Sequence, residues 1–366
     1  MSQGETLPLP TLYADWIGGL LEVGIPSEPL ATCDDCAMCA KPGEPRGPAA
    51  FNPAIKCCTY LPTLPNFRVG QVLNDRSPAA ESGRSTIIER IRRGMDVTPL
   101  GLGRPKPYDL LYKHAAPAFG RARALRCPHY IDEGGRCGIW RYRNAVCATY
   151  FCKYERGAVG RRFWGVLRDL LHTIERTLSN WCVAELALSD GMIARLLGPD
   201  PGDKKRGQLT AADLDGEAEQ EDYASLWGEW QGREEELFAD CARRVEPLGW
   251  ADILAIGGPE LRLQARLVKQ AHGALLDRSL PPAVEVGRYT VISSQGDRCQ
   301  LYAYSGMHPL EASRRLLEIL PAFGGRPIPE ALAAIEQSHG LRLPESLVRK
   351  LVDHEILVPP NPASLG

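Results

Sequence analysis

The sequence predicts an α+β protein that is mainly helical: an irregular cysteine-rich domain (residues 1–155), a helical region (156–280) and a small C-terminal unit of strands and helices (281–366). Three observations carry this. Nine of the 12 cysteines lie before residue 153, among stretches rich in Pro and Gly. Apolar residues recur at helical spacing from Phe163 to Trp181. Beyond residue 281, strand-like runs give way to short helical patterns.

The chain has 366 residues, enough for two to three domains. Hydrophobic residues make up 44% and charged residues 24%, which excludes a disordered or collagen-like chain. No apolar run approaches the ~20 residues that span a bilayer, so no membrane partner is expected. The N-terminus carries no Lys or Arg ahead of an apolar stretch, which argues against a secretory signal and for a cytoplasmic protein. Thiols stay reduced in that compartment, so clustered cysteines read as metal ligands before disulfides.

Pro and Gly punctuate Lys41 to Pro53 and Pro99 to Pro107, which excludes long regular elements there. A helix is predicted over Ala80 to Arg93, through Ile87, Ile88 and Ile91. Next comes one long amphipathic helix, with Phe163, Leu167, Leu170, Leu171, Ile174, Leu178 and Trp181 on its apolar face. Tyr223 to Val245 and Gly258 to Leu276 also read as helices, and Gly198 to Gly207 as an exposed linker. In the last segment, Val284 to Ile292 and Arg298 to Tyr304 have strand composition around a hairpin signal at residues 293–297. Helical patterns follow at Pro309 to Leu320, Pro329 to His339 and Pro344 to His354, with proline at or near the first position of each. Ile356 to Val358 closes as a strand. Two strands, three helices and a final strand outline a small winged-helix unit. No internal repeat is visible.

Net charge is −2, so no field over the whole chain points to nucleic acid. Charge is nevertheless segregated. Arg84 to Arg168 holds 18 basic and 6 acidic residues, and Asp213 to Asp240 holds 1 basic and 11 acidic. Such runs serve as solvated faces, or face one another. Basic residues beside cysteines also offset the negative charge of metal-bound thiolates.

The first cysteine group is Cys33, Cys36 and Cys39, spaced C-x2-C-x2-C. That spacing equals the first three ligands of a bacterial ferredoxin run. The adjacent pair Cys57 and Cys58 follows; neighbouring thiols point apart, so they serve different metals or leave one free. The second group is Cys127, Cys137, Cys147 and Cys152, among Tyr130, Trp140, Tyr142, Tyr150, Phe151 and Tyr154. An apolar shell of this kind limits water access to a metal. His129 reads as a neighbour of the ligands more readily than as a ligand. A disulfide framework would need an oxidising compartment and would leave one of the nine thiols over. Cys182, Cys241 and Cys299 are isolated and read as small buried hydrophobes.

The run Arg126 to Tyr154 resembles the second half of a bacterial cysteine-cluster family described as a zinc- or iron-chelating domain. Cys127-Pro128, Asp132, Gly135, Cys137, Ile139, Arg143, Cys147, Tyr150 and Cys152 fall on its pattern. Cys33, Cys36, Cys39 and the pair Cys57-Cys58 resemble its first half. Ala40 to Lys56 is inserted, and Trp140, Asn144 and Ala148 depart from the family's usual residues. One branch is similar to flagellin lysine methylases, so the resemblance implies metal binding coupled to protein modification. Val286 to Pro360 resembles, in pattern, winged-helix modules that recognise a leader peptide by adding it to a sheet edge. That implies a peptide or protein partner for residues 281–366; the alternative, equally open, is a plain winged-helix scaffold or dimerisation unit. Nucleic acid is disfavoured, because Arg349 and Lys350 are set against Glu345, Asp353 and Glu355.

No P-loop, dinucleotide fingerprint, H-E-x-x-H or C-x3-C-x2-C motif is present. The expected cofactor is an iron–sulfur cluster of the 4Fe–4S type, with zinc as the alternative, held by Cys33, Cys36, Cys39, Cys57, Cys58, Cys127, Cys137, Cys147 and Cys152. The functional expectation is a metal protein acting in peptide or protein modification. The rival is a structural-zinc interaction protein without catalysis.

Overall fold

The computed structural model describes residues 9–31, 33, 35–41, 43, 49–186, 188–198 and 209–360. Most of the linker expected at Gly198 to Gly207, and part of the Lys41 to Pro53 stretch, lie outside the described residues. The protein is α+β and mainly helical, with four small antiparallel sheets among the described residues. It divides into two compact units, each drawn from separate stretches of chain. The first is Met1–Ser27, Thr32–Tyr150 and Leu167–Leu267; the second is Glu28–Ala31, Phe151–Val166 and Val268–Gly366. Among the described residues, no helix is long and apolar enough to cross a membrane.

The first unit opens with α1 (Thr11–Leu21), which buries Tyr13, Trp16, Ile17 and Leu20 at helical spacing. Then come β1 (Leu64–Pro65), α2 (Asn66–Asn74), α3 (Glu81–Arg93), β2 (Val97–Thr98), β3 (Gly101–Leu102) and α4 (Lys106–His114). A loop-rich N-terminal third was the expectation, with α3 alone foreseen. The helix α2 escapes periodicity because Asn66 through Leu73 are all buried, so no polar face marks it. Strands β1, β3 and β2 pair side by side, with Leu64 opposite Leu102 and Val97 opposite Leu102. The hairpin β4 (Tyr130–Ile131) and β5 (Arg136–Cys137) and the short α5 (Ala145–Thr149) follow.

The long helix α6 spans Gly157–Glu185, as its apolar stripe predicts. After α7 (Asp190–Leu197) and α8 (Ala211–Asp215), the helix expected over Tyr223 to Val245 is broken in two. These are α9 (Gln220–Trp227) and α10 (Glu234–Val245). Gly228 (φ 50°) and Gly232 (φ 81°) take left-handed backbone between them, which ends a helix. The last long helix, α11, starts earlier than expected, at Trp250, and runs to Leu276 with a kink at Gly258 (φ 62°), just before Pro259. Gly70 brings α2 against α10 so closely that a Cβ there would lie 1.8 Å from the Phe238 carbonyl oxygen.

The second unit carries β6 (Glu285–Val286), β7 (Thr290–Gln295), β8 (Arg298–Tyr302), β9 (Leu310–Ser313), α12 (Arg314–Ile319), α13 (Ile328–His339), α14 (Glu345–Asp353) and β10 (Leu357–Val358). The hairpin turns at Gly296-Asp297, within the predicted segment, with Gln295 opposite Arg298. Two expectations are corrected. The strand read as Val284 to Ile292 is two strands, because Gly287 passes so near the Glu355 carbonyl that a Cβ would sit 2.3 Å from it. The helix read from Pro309 begins only at Arg314, capped by the Ser313 hydroxyl accepting from the Leu316 N–H at 3.1 Å. Leu310–Ser313 pairs with β8 instead, so the sheet order is β7-β8-β9. The core is Val284, Leu301, Ile319, Phe323, Ile335, Val348 and Ile356, among others.

Candidate metal centre

Three backbone segments of the first unit bring thiols together. The first turns tightly, with the Cys39 N–H donating to the Cys36 carbonyl at 3.0 Å, and is tied down where the Phe51 N–H donates to Met38 O at 2.8 Å. In the second, the Lys56 N–H and the Ile55 N–H both donate to Asn52 O, and Lys56 takes φ 51°. That turn delivers Cys57 and Cys58. The third is docked on the second by the Cys127 N–H donating to Cys58 O at 2.8 Å. The hairpin register then sets Cys137 opposite Tyr130. Cys147 rides in the first turn of α5, where its N–H donates to the capping Asn144 Oδ1 at 3.0 Å.

The electrostatics show which thiols are neighbours. Burial pushes Cys33 up to about 11, with Cys57 and Cys36 adding to the shift and Arg143 and Lys56 opposing it. Burial and then Cys36, which also hydrogen-bonds to it, push Cys39 up to about 12. The hydrogen bond to Cys58, then burial, raises Cys57. Burial comes first for Cys127, followed by Cys137 and Cys147. Burial pushes Cys137 up to about 11, with Cys33 and Cys57 contributing, and raises Cys147, with Cys137 and Cys57 contributing. Eight thiols, namely Cys33, Cys36, Cys39, Cys57, Cys58, Cys127, Cys137 and Cys147, are thus joined by a chain of pairwise interactions, with Cys57 and Cys137 at its centre and Cys58 reaching it through Cys57. Cys152 falls in the second unit, near Tyr154 and Tyr304.

Three features favour thiolate over thiol. The Cys127 sulfur accepts the His129 N–H, and the Cys137 sulfur accepts the Ile139 N–H, each from two residues on. Arg143 is buried, stacks over the Trp140 ring at 3.4 Å and donates to Trp140 O at 3.0 Å. Burial disfavours its charge, and Cys137, Cys147, Cys33 and Cys57 favour it. The Lys56 ammonium donates to Cys33 O at 2.5 Å and Gly135 O at 3.1 Å. Among the described residues, no three His, Cys, Asp or Glu side chains stand arranged to hold a metal ion. The thiols share a neighbourhood, which is wider than the ~2.3 Å of a zinc–sulfur bond.

His129 is 1% exposed. Its Nδ1 meets the Thr86 hydroxyl at 2.8 Å, its Nε2 has no partner among the described residues, and burial pushes it down to about 3, so it is neutral. Arg143, Lys56 and Asn144 were not singled out from the sequence as site residues; the basic run around them was the available signal. Cys182 and Cys241 are fully buried together, with the Cys182 thiol 3.9 Å from Cys241 O. No family model, curated protein or solved structure matches the chain.

Proposed function

We propose that the first unit holds a soft metal centre on thiols drawn from Cys33, Cys36, Cys39, Cys57, Cys58, Cys127, Cys137 and Cys147, an iron–sulfur cluster ahead of zinc. The observation that carries this is that thiols from all three segments, Cys33, Cys57, Cys137 and Cys147, act on one buried guanidinium, that of Arg143. Metal-bound thiolates at Cys137, Cys147, Cys33 and Cys57 would favour the buried Arg143 charge, as those four thiols already do. The two N–H donors that already point at Cys127 and Cys137 would hold those sulfurs as thiolates. The number of soft donors suits iron and sulfide; four of them alone would suit structural zinc. An iron–sulfur cluster would supply electron transfer at this position. The test is iron, zinc and acid-labile sulfide analysis of anaerobically purified protein. Iron with sulfide and visible absorption, lost in Cys127→Ala with Cys137→Ala, is the expected result. Zinc without sulfide favours the structural-zinc reading, and protein without bound metal refutes both.

The wider role we propose is peptide or protein modification in the cytoplasm, with residues 281–366 as a winged-helix-like unit that takes the peptide. What supports it is β7, a sheet edge exposed along its whole length, with Val291 45% and Ile292 49% exposed. Open edges accept an added strand through main-chain hydrogen bonds. A peptide library panned against the full chain should yield binders that Ile292→Pro abolishes. Binding indifferent to that substitution would remove the peptide from this edge.

A further inference from the structure

A cleft of about 290 Å³ opens in the first unit. One wall is the β1–β3–β2 sheet with its flanking Asp96; the other is the face of α6 bearing His172, Glu175, Arg176 and Ser179. Asn66 pins the walls together, its Nδ2 donating to Pro99 O at 3.0 Å and to Ser179 O at 3.1 Å. The cleft is therefore preformed. The sheet side carries the Asp96 carboxylate, which the Arg90 and Lys106 charges also reach; the helix side carries the His172 imidazole and the Arg176 guanidinium, with the buried Glu175 carboxylate beside them. Glu175 stands 3.7 Å behind His172 Nδ1 and favours its cationic form. Arg176 pairs with Glu260 at 3.1 Å, an exposed pair worth little. Ser179 is among the residues that line the cleft; it is 5% exposed, and its buried hydroxyl has no hydrogen-bond partner among the described residues. A buried hydroxyl in that state carries a desolvation cost that a bound polar group would relieve.

We infer that this cleft binds a small zwitterion of the α-amino-acid type, its ammonium end at Asp96 and its carboxylate end at Arg176 and His172, with the Ser179 hydroxyl completing the hydrogen bonding. A ligand carrying one sign of charge satisfies one wall and is opposed by the other. The volume lies at the lower end of ordinary small-molecule sites, about 300–1,000 Å³, which suits a molecule of this size. Its position gives the site a purpose. Glu175 Oε1 accepts the Ala145 N–H at 2.8 Å and its charge reaches Cys147. Arg90 donates to Gly103 O on the cleft wall at 2.8 Å, and its charge reaches both Asp96 and Cys127. The ligand would thus lie one buried charged residue away from the thiols. The binding itself does not depend on a metal.

The experiment is calorimetric titration of the full chain with the standard L-amino acids, with methylammonium and acetate as single-ended probes. Metal content is measured on the same samples. At least one amino acid should bind saturably and about tenfold or more tighter than either probe, a factor that corresponds to ~1.4 kcal/mol. Asp96→Asn and Arg176→Gln, both at exposed positions, should each weaken it about tenfold while leaving the melting transition in place. Ser179→Ala should weaken it as well. No saturable binding up to millimolar concentration, acetate binding as well as the best amino acid, or affinity unchanged in both charge variants overturns the inference. Those results read the cleft alone, so they stand whether or not the metal analysis succeeds.

Discussion

Arg156 in the second unit shows what a single buried charge demands. Its Nε and Nη2 meet the two Asp353 carboxylate oxygens at 2.7 and 2.8 Å, and its Nη1 donates to Leu275 O at 2.6 Å and Asp277 O at 3.0 Å. Removing one partner strands the other, so Arg156→Met should cost about 3–5 kcal/mol by urea denaturation. The double variant with Asp353→Leu should recover much of that. The same unit holds a titrating pair. The His308 and His354 rings lie 4.7 Å apart, Tyr304 hydrogen-bonds His308 Nδ1, and Lys153 and Lys350 stand close by. Burial first, then neighbouring charge, pushes both histidines down to about 4. The unfolded chain takes up protons near pH ~6.5 that the native state refuses. Stability should therefore be full above that value and fall as pH drops toward 4. Urea midpoints at pH 7 and pH 5 should differ less in His308→Gln than in the parent; an equal difference would show that other groups carry the acid sensitivity. The cysteines were legible residue by residue, because soft ligands at short spacing are rare in a chain of ordinary composition. Arg143 was not, because one arginine in a basic run does not reveal that it is buried.

Glycines that permit close packing govern the elements. Gly70 has no room for a methyl against the Phe238 carbonyl, so Gly70→Ala must part α2 from α10. The expected loss is about 1–3 kcal/mol or more, read as a lower melting temperature. Gly18 in α1 has nothing within 4 Å of where a Cβ would stand. Gly18→Ala should instead stabilise by about 0.5–1 kcal/mol, from helix propensity alone. A matched gain in both variants would mean that propensity, and not the α2–α10 approach, sets the response. The stripe on α6 and the limits of α3 were readable because each helix keeps a polar face. The all-buried α2 has none, and β9 was read as the start of a helix because its pairing partner, not its own periodicity, makes it a strand.

At the scale of the whole molecule, the proposed centre ties Cys33, Cys58 and Cys127 into one unit, so metal binding energy there becomes folding energy. Stripping the anaerobic protein with a chelator should raise amide exchange around residues 52–60 and 127–147. Strand β8 and helix α13 should stay protected, since their core contains none of the eight thiols. Uniform protection before and after chelation would mean that the first unit stands on its apolar core alone. By itself the sequence determined a mainly helical α+β chain with one long amphipathic helix and a concentration of thiols in its first half. Composition and periodicity report which residues want burial or a metal, and those properties are local. Tertiary structure alone decided that thiols from three separate segments interact, that each unit is assembled from separated stretches, and that Asp96 and the pair His172 and Arg176 line one cleft. Those outcomes depend on contacts between residues far apart in the chain, set by turns such as the one at Lys56 and by close approaches such as the one at Gly70.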